Sequence, residues 1–151
     1  MIEPGTPVPE PEVYDGKGSA PLPVFFQGRT LLFFFAAECE RCAGVLPLMA
    51  QWRTAGTNVV GISQETIEDT AEFLQEVRYS IPVVIDDRPY PASRVFEIEQ
   101  LPSIALVDND VVEWTSDGCS VEDLAAARGL LGISKELPED DLGAGRASKH
   151  L

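Results

Sequence analysis

Leu31-Leu32-Phe33-Phe34-Phe35-Ala36-Ala37-Glu38-Cys39-Glu40-Arg41-Cys42 is the stretch that decides how this chain folds. An apolar run of strand length ends in two cysteines separated by two residues. Because successive positions are apolar, neither face of that strand can point to water, which predicts a central strand covered on both sides. A helix pattern begins at once: Val45, Met49 and Trp52 fall at i, i+4 and i+7, and Leu46 and Leu48 widen the stripe. This predicts a helix from about Arg41 to Ala55, stopped by Gly56 and kinked at Pro47, which lacks a backbone donor. A C-x-x-C beside alternating strands and helices reads as a redox pair.

Working outward, the residues before this stretch are Pro-rich. Residues 1–23 hold six prolines, which forbid a helix or a central strand. Residues 1–22 are therefore expected to form an extended arm, with Val13-Tyr14 as an edge strand, and Val24-Phe25-Phe26 then pairs through Gln27-Gly28 with the strand at 29–35. Downstream, Asn58 to Ser63 is a second buried strand. Ile67, Ala71, Leu74 and Val77 mark an amphipathic helix. Ile81 to Ile85 is a third strand, and a short helical piece covers Ala92 to Phe96. Ile104-Ala105-Leu106-Val107 and Val111-Val112-Glu113-Trp114 form a hairpin across Asp108-Asn109-Asp110. A last helix over Val121 to Leu131 starts at a Ser120 N-cap. Residues 134–151, rich in Pro, Gly and Asp, are expected to be a flexible acidic tail beyond a single domain at 23–133. The order βαβ first, hairpin later, gives an α/β fold with a mixed sheet and helices on both faces.

Composition narrows the function. The chain has 151 residues, 44% hydrophobic and 24% charged, which suits one domain with a substantial core. Its net charge of −14 would be repelled by phosphate backbones and anionic lipid, so neither nucleic acid nor membrane is an expected partner. No apolar run approaches the ~20 residues that span a bilayer. Met1-Ile2-Glu3-Pro4-Gly5 lacks the basic and apolar regions of a signal peptide. As written, the chain is expected in the cytoplasm; an extracytoplasmic origin stays open if a leader has been trimmed. Three cysteines are too few for a disulfide scaffold, and His150 is the single histidine. A Cys–His nucleophile, a haem attachment and a mixed Cys/His zinc site all lack a partner, so no cofactor and no metal is expected.

Several acidic and aromatic residues have plainer readings. Trp52 and Trp114 are packing residues. Asp86-Asp87 at a strand end is expected to be solvated. Glu65, Glu68, Asp69 and Glu72 form the polar face of a helix.

The stretch Phe34 to Cys42, with Pro47 five residues after the second cysteine, resembles the active site of the thioredoxin superfamily, and Leu101-Pro102-Ser103 resembles its cis-proline loop. The additional βα unit at about 58–80 and the strand ending in Asp86 are similar to the TlpA-like and redoxin (AhpC/TSA-related) branch. The resemblance covers roughly residues 23–133. It implies a three-layer α/β/α sandwich and a thiol–disulfide oxidoreductase with Cys39 and Cys42 as its catalytic pair. It also implies a cis bond at Pro102, substrate contacts from Leu101, Pro102, Glu40 and Arg41, and, as partners, a disulfide-containing protein or small molecule together with a thiol reductant or oxidant. Departures from the family pattern are informative. Glu38 replaces the Trp before the first cysteine and Glu40-Arg41 replaces Gly-Pro. Phe33 and Val45 stand where relatives carry a buried acid.

Cys39 is expected to lie exposed at a helix N-terminus, with its thiolate stabilised by the helix dipole and by Arg41 and opposed by Glu38 and Glu40. Cys119, in Asp117-Gly118-Cys119-Ser120, reads either as an auxiliary thiol or as a small residue at a turn. Two other functions compete. A thiol peroxidase of peroxiredoxin type would have Pro and Thr where this chain has Leu32 and Ala36. A non-catalytic metal-binding or interaction module would use Cys39, Cys42 and Cys119 as soft ligands.

Overall fold

The computed structural model describes residues 1–134, 137 and 142–151. Its elements, in chain order, are β1 (Glu12–Tyr14), β2 (Ser19–Pro21), β3 (Thr30–Phe35), α1 (Glu40–Thr54), β4 (Asn58–Ser63), α2 (Ile67–Val77) and β5 (Val83–Ile85). There follow α3 (Pro91–Val95), β6 (Gln100–Leu101), β7 (Ser103–Asp108), β8 (Val111–Asp117), α4 (Val121–Leu131) and β9 (Arg146–Ala147). Among the described residues, seven strands form one sheet in the order β2-β1-β5-β4-β3-β7-β8. β3 runs parallel to β4 and antiparallel to β7, and β4 runs parallel to β5. The sheet is therefore mixed, with the apolar strand at its centre.

That central position follows from the sequence of β3. All six of its residues are buried. Phe33 and Phe35 share one face, stack at 5.2 Å, and Phe35 meets Phe73 of α2 at 5.6 Å. Phe34 turns to the other face and meets Phe96, just beyond α3, at 5.2 Å. Each ring contributes about 1.5–3 kcal/mol through burial. With both faces committed, the strand's register is fixed, and with it the place where the chain leaves the sheet at Ala36.

Two expectations are corrected. Val24-Phe25-Phe26 is not a strand: Leu22–Phe25 is a 3-10 turn. Pro23 has no N–H for a ladder, and Leu22 instead donates its N–H to the Pro11 carbonyl at 2.9 Å and is fully buried. The N-terminal residues run across the domain. Gly5 and Val8 donate to Val112 and Asp110 at 2.7 and 2.8 Å, alongside β8; the chain then reaches the opposite edge, where β1 pairs with β2 and β5. Of residues 134–151, expected as a flexible tail, 135, 136 and 138–141 lie outside the described residues, and 142–151 are docked on the cysteine loop and on β6. The expected helix stop at Gly56 stands close to the observed end of α1, which continues through Pro47 to Thr54. α4 begins with a capping box between Ser120 and Asp123. Among the described residues, no helix is long and apolar enough to cross a membrane.

Candidate active site

β3 ends at Phe35, and the chain must turn sharply into α1. Glu38 makes that turn with φ at +54°, a left-handed conformation. Cys39 becomes the N-cap of α1, and its Sγ accepts the Cys42 N–H at 3.2 Å. A sulfur at this position faces the free N–H groups of the first turn, the electrostatic setting that favours a thiolate. The spacing of three residues brings Cys42 under Cys39, with Cα atoms 5.2 Å apart and the two sulfurs bonded as a disulfide. Cys39 is 4% exposed and Cys42 is fully buried. Cys39 is therefore the sulfur nearer to solvent.

The loop before β7 supplies the opposite wall. The Leu101–Pro102 peptide bond is cis, and the Leu101 carbonyl oxygen lies 3.8 Å from Cys39 Sγ. Of the residues selected from the sequence, Cys39, Cys42, Glu40, Arg41, Leu101 and Pro102 meet at this one place. Glu40 is exposed at the start of α1 and Arg41 is half-buried beside it.

Cys119 does not join them as an accessible thiol. It is fully buried, with a left-handed φ of +44°. Burial, reinforced by Asp123, pushes its thiol well above the usual cysteine range, against the opposing influence of Arg41. Asp86 also departs from its solvated reading. It is fully buried and accepts hydrogen bonds from the backbone N–H groups of Ala92 and Ser93, both at 2.8 Å, and from Ser93 Oγ at 2.6 Å. It anchors the start of α3. Burial raises its pKa while these bonds pull it down.

Two positioning residues escaped the sequence reading. Asp117 accepts the N–H groups of Glu99 and Gln100 at 3.2 and 2.9 Å and contacts Ser103 Oγ at 2.8 Å. It thereby clamps the residues on both sides of Leu101-Pro102. Gln64, just after β4, is buried and donates from Nε2 to Ser93 and Ser148, each at 2.7 Å. Neither has a periodicity signal, because both act through contacts distant in sequence. A cleft lined by Phe25, Arg53, Asn58 and Pro82 lies at the other end of β3 and β4 from the dithiol.

Residues 4–115 match the model of the AhpC/TSA family. Among curated proteins no significant sequence match is found. Solved structures of similar fold include a protein described as thiol:disulfide interchange protein DsbE from Chlorobium tepidum. It is 21% identical with a TM-score of 0.72, over 87% of this chain and 98% of that one. A thiol:disulfide interchange protein from Bacteroides sp. is 20% identical with a TM-score of 0.70, over 89% and 94%. A thio-disulfide isomerase from Thermus thermophilus is 24% identical with a TM-score of 0.64, over 89% and 100%. At these identities the likeness is one of fold, and it identifies the mixed sheet with its helices as thioredoxin-like.

Proposed function

The chain belongs to the AhpC/TSA family, and on that premise we propose that it is a thiol–disulfide oxidoreductase in which Cys39 attacks and Cys42 resolves. The observation that carries this reading is the bonded Cys39–Cys42 pair at a helix N-terminus, 3.8 Å from the Leu101 carbonyl. The proteins of similar fold named above bear descriptions of the same kind of chemistry.

In the reducing direction, the Cys39 thiolate attacks one sulfur of a substrate disulfide. That bond breaks, one substrate thiolate leaves, and a mixed disulfide joins Cys39 to the other sulfur. The Cys42 thiolate then attacks Cys39 Sγ, releasing the second substrate thiolate and closing the Cys39–Cys42 bond. Two electrons pass from the dithiol to the substrate, and an external thiol donor restores the pair. Run backwards, the same steps oxidise a substrate dithiol. Phe33 and Val45 are fully buried apolar residues, so no carboxylate at those positions takes the Cys42 proton. The base at hand is the thiolate released in the first step. Leu101 and Pro102 form the wall against which an extended substrate lies, and Glu40 and Arg41 border it.

The peroxidase alternative has no supporting side chain, because Leu32 and Ala36 are buried apolar residues at the positions in question. The test is insulin reduction in the presence of dithiothreitol. Cys39→Ser should abolish the catalysed rate, and Cys42→Ser should accumulate a mixed disulfide through Cys39. Equal rates for Cys39→Ser and the unaltered protein would sink the reading. The potential of the pair then assigns direction, near about −270 mV for a reductant and about −120 mV for an oxidant.

A further inference from the structure

Residues 142–151 run past the dithiol, bonded to residues on both sides of it. The Arg41 N–H donates to the Ala144 carbonyl at 3.0 Å, and the Ala144 N–H donates to Glu40 Oε2 at 3.3 Å. β9 pairs antiparallel with β6, placing Arg146 opposite Leu101, and Arg146 Nη1 donates to the Ala37 carbonyl at 3.0 Å. Beyond it, the Ser148 N–H donates to the Glu99 carbonyl at 2.9 Å and the Lys149 N–H to Gln64 Oε1 at 2.8 Å. The chain approaches so closely that side chains are excluded. A Cβ on Gly145 would collide with the Leu101 carbonyl oxygen, a Cβ on Gly143 with the Glu40 side chain, and a Cβ on Gly44 would fall 3.0 Å from the Leu142 carbonyl oxygen. An incidental tail would not need glycine on both sides of the contact.

Charge favours the seat at its far end, where Lys149 reaches the rim of an acidic cleft that residues 142–151 do not themselves line. Glu38, Glu65, Asp69, Glu72 and Glu76 line a cleft beside the dithiol. The Lys149 ammonium is ion-paired with Glu65 there. The docked segment is thus extended, small at Gly143-Ala144-Gly145, and basic at Arg146 and Lys149, on a protein whose net charge is −14.

We propose that residues 142–151 are an intramolecular pseudosubstrate: they fill the groove beside Cys39 as an extended basic segment of a disulfide-bearing polypeptide does, and such a segment enters by displacing them. The proposal rests on the reading above, in which the Leu101 edge receives substrate. It adds the substrate class, a polypeptide with small residues next to the disulfide and cationic side chains further along. It also adds a resting state in which the attacking sulfur is covered. Such a cover sets apparent affinity by the fraction of molecules that are open. It slows attack on weak partners and leaves strong ones able to compete.

The experiment compares the full chain with a chain ending at Asp141 and with Gly145→Val, which keeps every residue but forces the strand away from Leu101. Two quantities are read on protein shown to be folded: the alkylation rate of reduced Cys39 by iodoacetamide, and insulin reduction. Both variants should label Cys39 about tenfold faster than the full chain, as a cover closed roughly nine-tenths of the time requires. A synthetic peptide of residues 142–151 should restore protection to the shortened chain, and the same peptide with Glu at both basic positions should not. Unchanged or slower labelling in both variants overturns the cover. Equal protection by the two peptides overturns the basic substrate class. Cys39-dependent insulin reduction that is identical in all chains also removes the pseudosubstrate while leaving the oxidoreductase. Faster labelling with no insulin reduction in any chain leaves a cover and removes the oxidoreductase reading beneath it.

Discussion

Ser103 Oγ lies 2.8 Å from Asp117 Oδ1, tying the first residue of β7 to the last residue of β8. The same carboxylate receives the Glu99 and Gln100 N–H groups. Leu101, which faces Cys39, is therefore held by a carboxylate two strands' ends away from the dithiol. Ser103 completes the clamp by accepting the Gly118 N–H at 3.2 Å.

Asp117→Ala leaves the Glu99 and Gln100 amides without their acceptor, a loss of about 1–3 kcal/mol for groups of this kind, while Ser103 Oγ keeps the Gln100 carbonyl at 2.6 Å. The expected result is a drop of about tenfold in kcat/KM for insulin reduction, from misplacement of the Leu101 wall. The potential of the Cys39–Cys42 pair should not move, because Asp117 acts on the wall and not on the sulfurs. A shifted potential with unchanged kcat/KM would refute this assignment.

Asp86 makes stability depend on pH. Burial raises its folded pKa above the ordinary 3.8, so the folded protein binds that proton more tightly than the unfolded chain. Stability from this group is full below the unfolded value and declines as pH rises through the folded one. Asp86→Asn removes the slope but leaves at least one donor at the start of α3 poorly satisfied, costing about 1–3 kcal/mol. Urea denaturation should show the largest gap between Asp86→Asn and the unaltered protein near pH 4, narrowing toward pH 7. A gap that widens with pH contradicts the argument.

Gly61→Ala puts a methyl 3.0 Å from Phe35 Cε1 and Ile81 Cδ1 and 3.1 Å from Val83 Cγ2. Those neighbours belong to the core or pack on it, so they cannot retreat without disturbing the stacked rings. Overpacking of this kind costs about 1–3 kcal/mol and outweighs the ~0.4–1 kcal/mol that Gly→Ala returns by restricting the unfolded chain. Thermal unfolding should shift down by about 2–4 °C for each kcal/mol lost. An unchanged or raised Tm would refute the packing argument.

Cys119 should be inert in the native protein. Its buried thiol is held protonated, and only the thiolate reacts. Mass analysis after iodoacetamide treatment of reduced, folded protein should find it unmodified until denaturant is added. Modification of Cys119 at the rate of Cys39 would show that it is accessible after all.

His150 makes docking of residues 142–151 pH-dependent. Burial, then Arg94, lowers its pKa below 6.5, with Asp86 opposing. Docked, it prefers to be neutral, so docking is fully favoured above about pH 6.5 and weakens as pH falls below that value. The ratio of Cys39 alkylation rates, shortened chain over full chain, should shrink between pH 7 and pH 5.5. A constant ratio counts against His150.

Much of the fold was legible because it is written in local patterns. β3 announces a doubly covered strand in its unbroken apolar run, α2 and α4 show in their apolar spacing, and Ser120 marks its own helix start. The dithiol and the Leu101-Pro102 loop were readable as short motifs. What could not be read depends on contacts far apart in sequence. Pro23 turns the Val24 region into a 3-10 turn because a carbonyl at Pro11 is waiting for the Leu22 N–H. Asp117 and Gln64 look like ordinary polar residues until the fold places amides and hydroxyls around them. The segment at 142–151 carries glycine and charge, the composition of a loose tail. Its fit arises from backbone bonds to Arg41, Glu99 and β6, which no apolar period encodes.

The N-terminal residues have a consequence for how the molecule meets copies of itself. By hydrogen-bonding to Asp110 and Val112 at the start of β8 and then forming β1 and β2 beyond β5, they cover part of one margin of the sheet and make up the other, where the last strand is three residues long and ends in Pro21. Strands of a second copy find no long ladder of open N–H and C=O groups there, the usual route to aggregation. Self-association by strand addition is thereby discouraged at that margin of the sheet.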